Sequence, residues 1–321
     1  MNKIASIVAK LAVSLGILFY IFTQVPFSDV VVATGDAKWS GVVLGCLLLL
    51  LTRYIQAVRT RILTDAQGMR LSSGVLLEIN LITNFYGVLL PGTLAGGAVR
   101  WYKMYRADNK PAEALAAIVL DRLVATVVLV VLGVGFWLIE GKGRAGFGIG
   151  IPLLSLMSGL LLLNLMVVNK GVASYTSQFL EKVNFVPRVI RTQIQKLLTA
   201  SSKYRELSKR KHGDIFLISA INDLLGIVVF YAFATALGLN LSFVTVGWIR
   251  CVIAVLTMLP VSFLGLGIRE SGLILILQPY GIEPADAVAF SFLVLAGHVW
   301  LAFIGGLLEA KNFFVLQAKE A

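Results

Sequence analysis

The chain has 321 residues, of which 58% are apolar and only 14% charged, with a mean hydropathy of +0.87; this excludes an ordinary soluble domain and leaves room for several membrane crossings. A net charge of +11 would suggest nucleic acid in a soluble protein, but the basic residues here flank hydrophobic segments, so the expected partner is an anionic lipid surface. Cys46 and Cys251 lie in apolar stretches as small core residues, and no disulfide, metal or cofactor framework is implied.

The first apolar run, Ile4 to about Val25, carries Lys10 near its start. It lacks a small-residue cleavage site before Pro26, and so reads as a spanning helix rather than a signal peptide. Pro26 to Trp39 is expected as an outer connector. A second crossing, Ser40 to about Gln56, leads into Arg53, Arg59, Arg61 and Arg70, a basic cluster that belongs inside. Leu71 to Leu90 is apolar, yet Arg100, Lys103, Arg106 and Lys110 follow closely. Basic flanks on both sides predict a re-entrant hairpin with its tip near Leu90 to Gly97, which is tolerable where protein or a water-filled cavity surrounds the broken backbone. A third crossing spans Ala112 to Ile139 and a fourth about Phe147 to Val168.

The most polar stretch, Asn169 to Gly213, holds ten of the 28 Lys and Arg and is expected to be cytoplasmic. Its apolar residues from Phe179 to Leu197 recur at three- and four-residue steps, which suits an interfacial helix or a partner-docking helix. A further crossing, Asp214 to Leu237, precedes a second hairpin, with Phe243 to Leu259 and Ile268 to Pro279 on either side of its tip. Ala285 to about Leu308 then returns the chain inside.

The two tips resemble each other. Leu90-Pro91-Gly92-Thr93-Leu94-Ala95-Gly96-Gly97-Ala98-Val99-Arg100 aligns without gaps on Leu259-Pro260-Val261-Ser262-Phe263-Leu264-Gly265-Leu266-Gly267-Ile268-Arg269, an offset of 169 (269−100). Pro111-Ala112-Glu113-Ala114 is echoed by Pro284-Ala285-Asp286-Ala287 at 173 (284−111). The expected fold is therefore an all-α polytopic membrane protein with an inverted-topology repeat and two re-entrant Pro/Gly hairpins. It forms a single integral membrane domain over 1–321. Repeat 1 covers about 40–139, a linking helix and basic cytoplasmic segment about 147–213, and repeat 2 about 214–309.

A guanidinium at membrane depth costs about 2.5–3.5 kcal/mol on insertion scales, so it belongs where it meets a polar cavity or an anion. Arg100 and Arg269 are the candidate phosphate-binding groups, with Gly96, Gly97, Gly265 and Gly267 letting a ligand approach free backbone N–H groups. The alternatives remain open: the glycines as tight helix packing, the arginines as snorkelling side chains. Asp121, Arg122 and Glu270 are candidates for setting the charge balance. Asp121 is expected to meet an arginine elsewhere, such as Arg53 or Arg100, rather than its neighbour Arg122. Asn84 and Asn222-Asp223 either serve the site or satisfy nearby backbone, and Arg250 and Glu309 are expected to snorkel at membrane ends. Enzyme signals are thin: the Gly141 to Gly146 match to a dinucleotide fingerprint has no strand before it, and His212 and His298 have no ligand cluster.

Asn84, Leu90-Pro91-Gly92, Gly96-Gly97 followed by Arg100, Asp121-Arg122 and Gly265-Leu266-Gly267-Ile268-Arg269-Glu270 together resemble the flippase-like transmembrane region of lysylphosphatidylglycerol synthases and their stand-alone relatives. The resemblance runs from about Trp39 to Glu309 and implies a bacterial inner-membrane domain that moves a lipid between leaflets. Because the sequence reaches Ala321 without a soluble aminoacyl-transferase domain, lysine transfer is not carried over. The expectation is a flippase or transporter, not an enzyme, for an anionic phospholipid or a polyprenyl-phosphate-linked headgroup, with both termini cytoplasmic. The runner-up is a membrane-embedded transferase acting on a lipid-linked substrate with Asp121 or Glu270 as general base. A scaffold holding a partner through 169–213 is a third reading.

Overall fold

The computed structural model describes residues 3–89, 95–140, 158–159, 204, 206–258 and 265–320. The predicted tip segments 90–94 and 259–264, the fourth crossing apart from 158–159, and most of the basic stretch lie outside these. Among the described residues every regular element is helical. The helices are α1 (Lys3–Gln24), α2 (Phe27–Gly35), α3 (Trp39–Ala66), α4 (Ser73–Leu89), α5 (Ala95–Asp108) and α6 (Pro111–Glu140), followed by α7 (Lys209–Ala236), α8 (Phe243–Met258), α9 (Ile268–Leu277) with a short 3-10 turn Gln278–Tyr280, and α10 (Pro284–Glu320). Four of them, α3, α6, α7 and the Pro284–Phe314 part of α10, are long and apolar enough to cross a membrane. A fifth crossing results if the pair Ser14–Gln24 and Phe27–Gly35, bent by 85°, is one span. The protein is multi-pass.

Local chemistry explains the boundaries. Pro111 and Pro284 open α6 and α10 at the position where a missing N–H costs nothing. The helices α3 and α7, 28 residues each, end in the same way. Gly68 (φ +82°) and Gly238 (φ +71°) take the left-handed conformation just past them, and the next N–H groups, of Met69 and Leu239, reach back to the carbonyls of Thr64 and Ala234 at 2.9 Å. Ser72 and Ser242 then accept the backbone N–H of Val75 and Thr245 at the starts of α4 and α8.

The most extensive helix pairings are α3 with α7, α4 with α10, and α6 with α8. Glycines make the approach possible. A Cβ on Gly45 would lie 2.2 Å from the Phe233 ring, one on Gly305 would lie 2.0 Å from the Leu81 carbonyl oxygen, and one on Gly247 would lie 2.8 Å from the Phe136 ring. The main core gathers Phe233, Trp248, Ile253, Leu273, Phe290 and Leu301, while the outward faces keep Leu47, Leu51, Phe303 and Phe313 exposed, as suits contact with lipid tails.

Three expectations need correction. Residues 27–35 form a helix rather than a connector loop, because Val30 buries against Val288 and Ala289. The second crossing does not end at Gln56; α3 continues to Ala66, since its second half packs on α6 and α7. The last helix likewise continues past Leu308 to Glu320.

Candidate functional site: an arginine-lined cavity

A stripe of polar residues runs down one side of α3 at helical spacing, through Thr52, Gln56, Arg59 and Thr60. In an apolar helix such a stripe needs a polar partner, and it finds one in Asp121, in the middle of α6. Arg59 Nε lies 2.8 Å from Asp121 Oδ1, and Arg100 Nη1, from α5, lies 3.1 Å from Oδ2. Arg100 Nη2 donates to Thr60 Oγ1 at 2.9 Å, and Arg59 Nη1 donates to Ser219 on α7 at 3.2 Å. One carboxylate thus holds two guanidiniums, drawing α3, α5, α6 and α7 together. Arg59 is only 2% exposed, so its charge is met inside the protein by Asp121 rather than by water or lipid headgroups.

A second knot forms around Arg269 at the start of α9. Arg269 Nη2 donates to Glu270 Oε1 at 3.0 Å and Nε donates to Ser291 Oγ on α10 at 2.6 Å; the Ser291 hydroxyl in turn donates to Glu270. Glu270 Oε2 accepts the Gly267 N–H at 2.6 Å, which fixes the helix start. Gly267 sits at φ +85° with its Cα against Ile17. The third pair, Arg250 Nη2 to Asp223 Oδ1 at 3.5 Å, joins α8 to α7.

These groups surround one cavity of about 620 Å³, within the range of roughly 300–1,000 Å³ typical of small-molecule sites. Of the sequence-predicted residues, Asn84, Gly96, Gly97, Arg100, Asp121, Arg122, Gly265 and Arg269 line it. Gly267 and Glu270 stand behind the wall, acting on α9 and Arg269. Gly96 is packed close to the Thr83 carbonyl, at 3.4 Å from its would-be Cβ, whereas Gly97 faces open space. Asn84 donates to the Asn80 carbonyl at 2.9 Å. Apolar residues such as Val88, Phe230 and Ile253 share the wall.

Several residues escaped the sequence reading. Arg53, Arg59, Arg250 and His298 all line the cavity. Asp121 does meet Arg100 as expected, but its other partner is Arg59 and not Arg53, whose Nη1 donates instead to Gln56 at 3.1 Å. Arg250 does not snorkel, because Asp223 holds it inward. Glu309 is engaged too, accepting from Lys103 at 2.7 Å and from Tyr86 at 3.0 Å. The unpaired charge of Asp223 in an apolar run was the signal for Arg250, and the polar stripe on α3 was the signal for Arg59. Among the described residues no three His, Cys, Asp or Glu side chains are placed to hold a metal ion.

The protein family described as the lysylphosphatidylglycerol synthase TM region matches this chain over residues 7–306. No curated protein matches it.

Proposed function

The chain belongs to the family of the lysylphosphatidylglycerol synthase TM region, which makes its function a membrane, lipid-related one, and from that premise we propose that it is a lipid flippase. It moves an anionic phospholipid or polyprenyl-phosphate-linked headgroup through the central cavity while the tails stay in the bilayer. The observation that carries this reading is that Arg100 and Arg269, which follow different Pro/Gly tips 169 residues apart, line the same cavity. A guanidinium offers a planar fork of donors suited to phosphate oxygens. Each fork is already oriented by its own carboxylate, Asp121 or Glu270, so binding need not first order the side chain. Arg122 adds positive charge at the wall, and Asn84, Gly96, Gly97 and Gly265 provide polar or close-approach surface beside it.

The same geometry supports an inverted-topology repeat with two re-entrant hairpins, α4 with α5 and α8 with α9. The order long helix, short helix, tip, short helix, long helix occurs twice. Arg100 and Arg269, and Glu140 and Glu309, are 169 residues apart (269−100 and 309−140); Gly68 and Gly238, and Ser72 and Ser242, are 170 apart (238−68 and 242−72). The paired glutamates play equivalent parts across the halves. Glu140 accepts from Thr245 at 2.9 Å and Tyr280 at 3.1 Å of the second half, and Glu309 accepts from Lys103 and Tyr86 of the first. A rocking of one half against the other, with these ties made and broken in turn, alternates access to a fixed site. In this reading the protein sits in a bacterial inner membrane with both termini cytoplasmic.

The transferase reading draws less support from the geometry. A general base needs a lone pair turned to the substrate, and both Asp121 and Glu270 are engaged by several donors each. Reconstituted in liposomes, the protein should move a labelled anionic lipid between leaflets. Arg100→Ala and Arg269→Ala should each cut that rate at least about tenfold, a loss of about 1.4 kcal/mol in the barrier-crossing complex. Wild-type rates in both variants would refute the site, and a new lipid species in a mass spectrum would favour the transferase.

A further inference from the structure

The cavity holds more positive charge than its own carboxylates balance. Six arginines face it: Arg53, Arg59, Arg100, Arg122, Arg250 and Arg269. Three carboxylates touch them. Asp121 balances one of Arg59 and Arg100, Asp223 balances Arg250, and Glu270 balances Arg269. Arg53 and Arg122 have no carboxylate partner among the described residues. Six minus three leaves an excess of three positive charges at the cavity wall. The sequences of 90–94 and 259–264 contain no charged residue.

Donors are left over as well as charge. Arg53 Nε, Arg100 Nε and Arg250 Nη1 are buried and have no acceptor among the described residues. An unsatisfied buried donor costs about 1–3 kcal/mol, more when charged. Asp223 Oδ2, on the carboxylate already paired with Arg250, is likewise without a donor and offsets the spare Arg250 N–H, but it does not serve Arg53 or Arg100. His298 donates its Nδ1–H to the Val294 carbonyl at 2.8 Å, which leaves Nε2 of a neutral ring as an acceptor but adds no negative charge, so the excess is not reduced.

We infer that the headgroup taken here carries two or more negative charges, as a lipid phosphomonoester or diphosphate does, rather than the single charge of a phosphodiester such as phosphatidylglycerol. This rests on the lipid-headgroup reading of the cavity. A phosphodiester leaves two of the three excess charges uncompensated in a site walled partly by apolar side chains. A phosphomonoester, with close to two charges near neutral pH and three acceptor oxygens for guanidinium forks, leaves only about one. Arg53 and Arg122 are the residues that would separate the two headgroups, because their charges are the ones no protein carboxylate offsets.

The test compares phosphatidic acid with phosphatidylglycerol of identical acyl chains, bound to the purified full chain and read by native mass spectrometry and competition. Phosphatidic acid should bind about tenfold tighter or more, and added salt should reduce the ratio. In Arg53→Gln/Arg122→Gln the ratio should fall to about threefold or less, while Arg53→Lys, which keeps the charge, should retain most of it. Arg61→Gln removes a charge on the exposed side of α3 and should leave the ratio unchanged. Equal binding of the two lipids, survival of the preference in the double glutamine variant, or an equal loss in Arg61→Gln would overturn the inference. Inorganic pyrophosphate competing as well as the lipid at the same concentration would show a site for soluble anions and overturn the lipid part. Binding and transport are separable: a protein that prefers phosphatidic acid but moves no lipid refutes the flippase alone, and one that moves lipid without the preference refutes this inference alone.

Discussion

Among the described residues Asp121 is the carboxylate on which two guanidiniums, one of them almost fully buried, depend. Removing its charge leaves Arg59 as an uncompensated buried cation, the kind of change that costs about 3–5 kcal/mol, whereas exposed pairs such as Arg61–Asp65 contribute about 0–1 kcal/mol. Asp121→Asn should therefore lower the thermal unfolding midpoint in detergent markedly, and Asp65→Asn should barely move it. Gly226 acts more locally. A Cβ there would lie 2.2 Å from Arg250 Nη2, and since that atom ends a flexible side chain, the guanidinium swings aside while the helices stay put. Gly226→Ala should weaken anionic-lipid binding several-fold, by displacing Arg250 from Asp223, with a stability loss under about 1.5 kcal/mol. An unchanged affinity would mean that Arg250 takes no part in binding.

At the scale of elements, the long helices are legible in the sequence because lipid imposes a simple rule: every backbone polar group must be satisfied inside the segment, which takes about 20 apolar residues. Hence α6 and α7 lie close to where hydropathy puts them. The rule fails where packing rather than lipid sets the limit. Helix α3 runs on past Gln56 because its polar second half finds Asp121 and Ser219, and α2 forms because Val30 finds α10. Contacts between α4 and α10 depend on Gly305 in a way no substitution can relieve by turning a side chain, since the obstacle is the Leu81 backbone. Gly305→Ala should separate the two helices and cost about 1–3 kcal/mol of stability. The same change at Gly35, whose Cβ would meet nothing within 4 Å, should be near neutral.

For the whole molecule, the inverted arrangement makes a prediction that neither residues nor helices make alone. The turns after α3 and α7 share their glycine caps and their serine-capped exits, 170 residues apart, and in an inverted repeat they face opposite sides of the membrane. Ser72 and Ser242 are both exposed. With Cys46 and Cys251 replaced by Ala, Ser72→Cys and Ser242→Cys should react with a membrane-impermeant maleimide from opposite sides of oriented vesicles. Labelling of both from one side would refute the inversion, and with it the rocking of one half against the other.

By itself the sequence determined that this is a helical membrane protein, which Pro/Gly breaks recur in it, and that Arg100, Asp121 and Arg269 sit too deep among apolar residues to be ordinary surface charges. Those conclusions follow from the cost of polar groups in hydrocarbon, which acts on each segment separately and so can be read along the chain. Only the tertiary structure decided which charge meets which. Arg59 belongs to Asp121, Arg250 to Asp223 and Glu309 to Lys103, across 62, 27 and 206 residues of sequence. A buried cation requires some partner, but hydropathy has no term for which helix will supply it. That choice is made by close helix contacts at a few glycines, and it is what gathers six scattered arginines around one cavity.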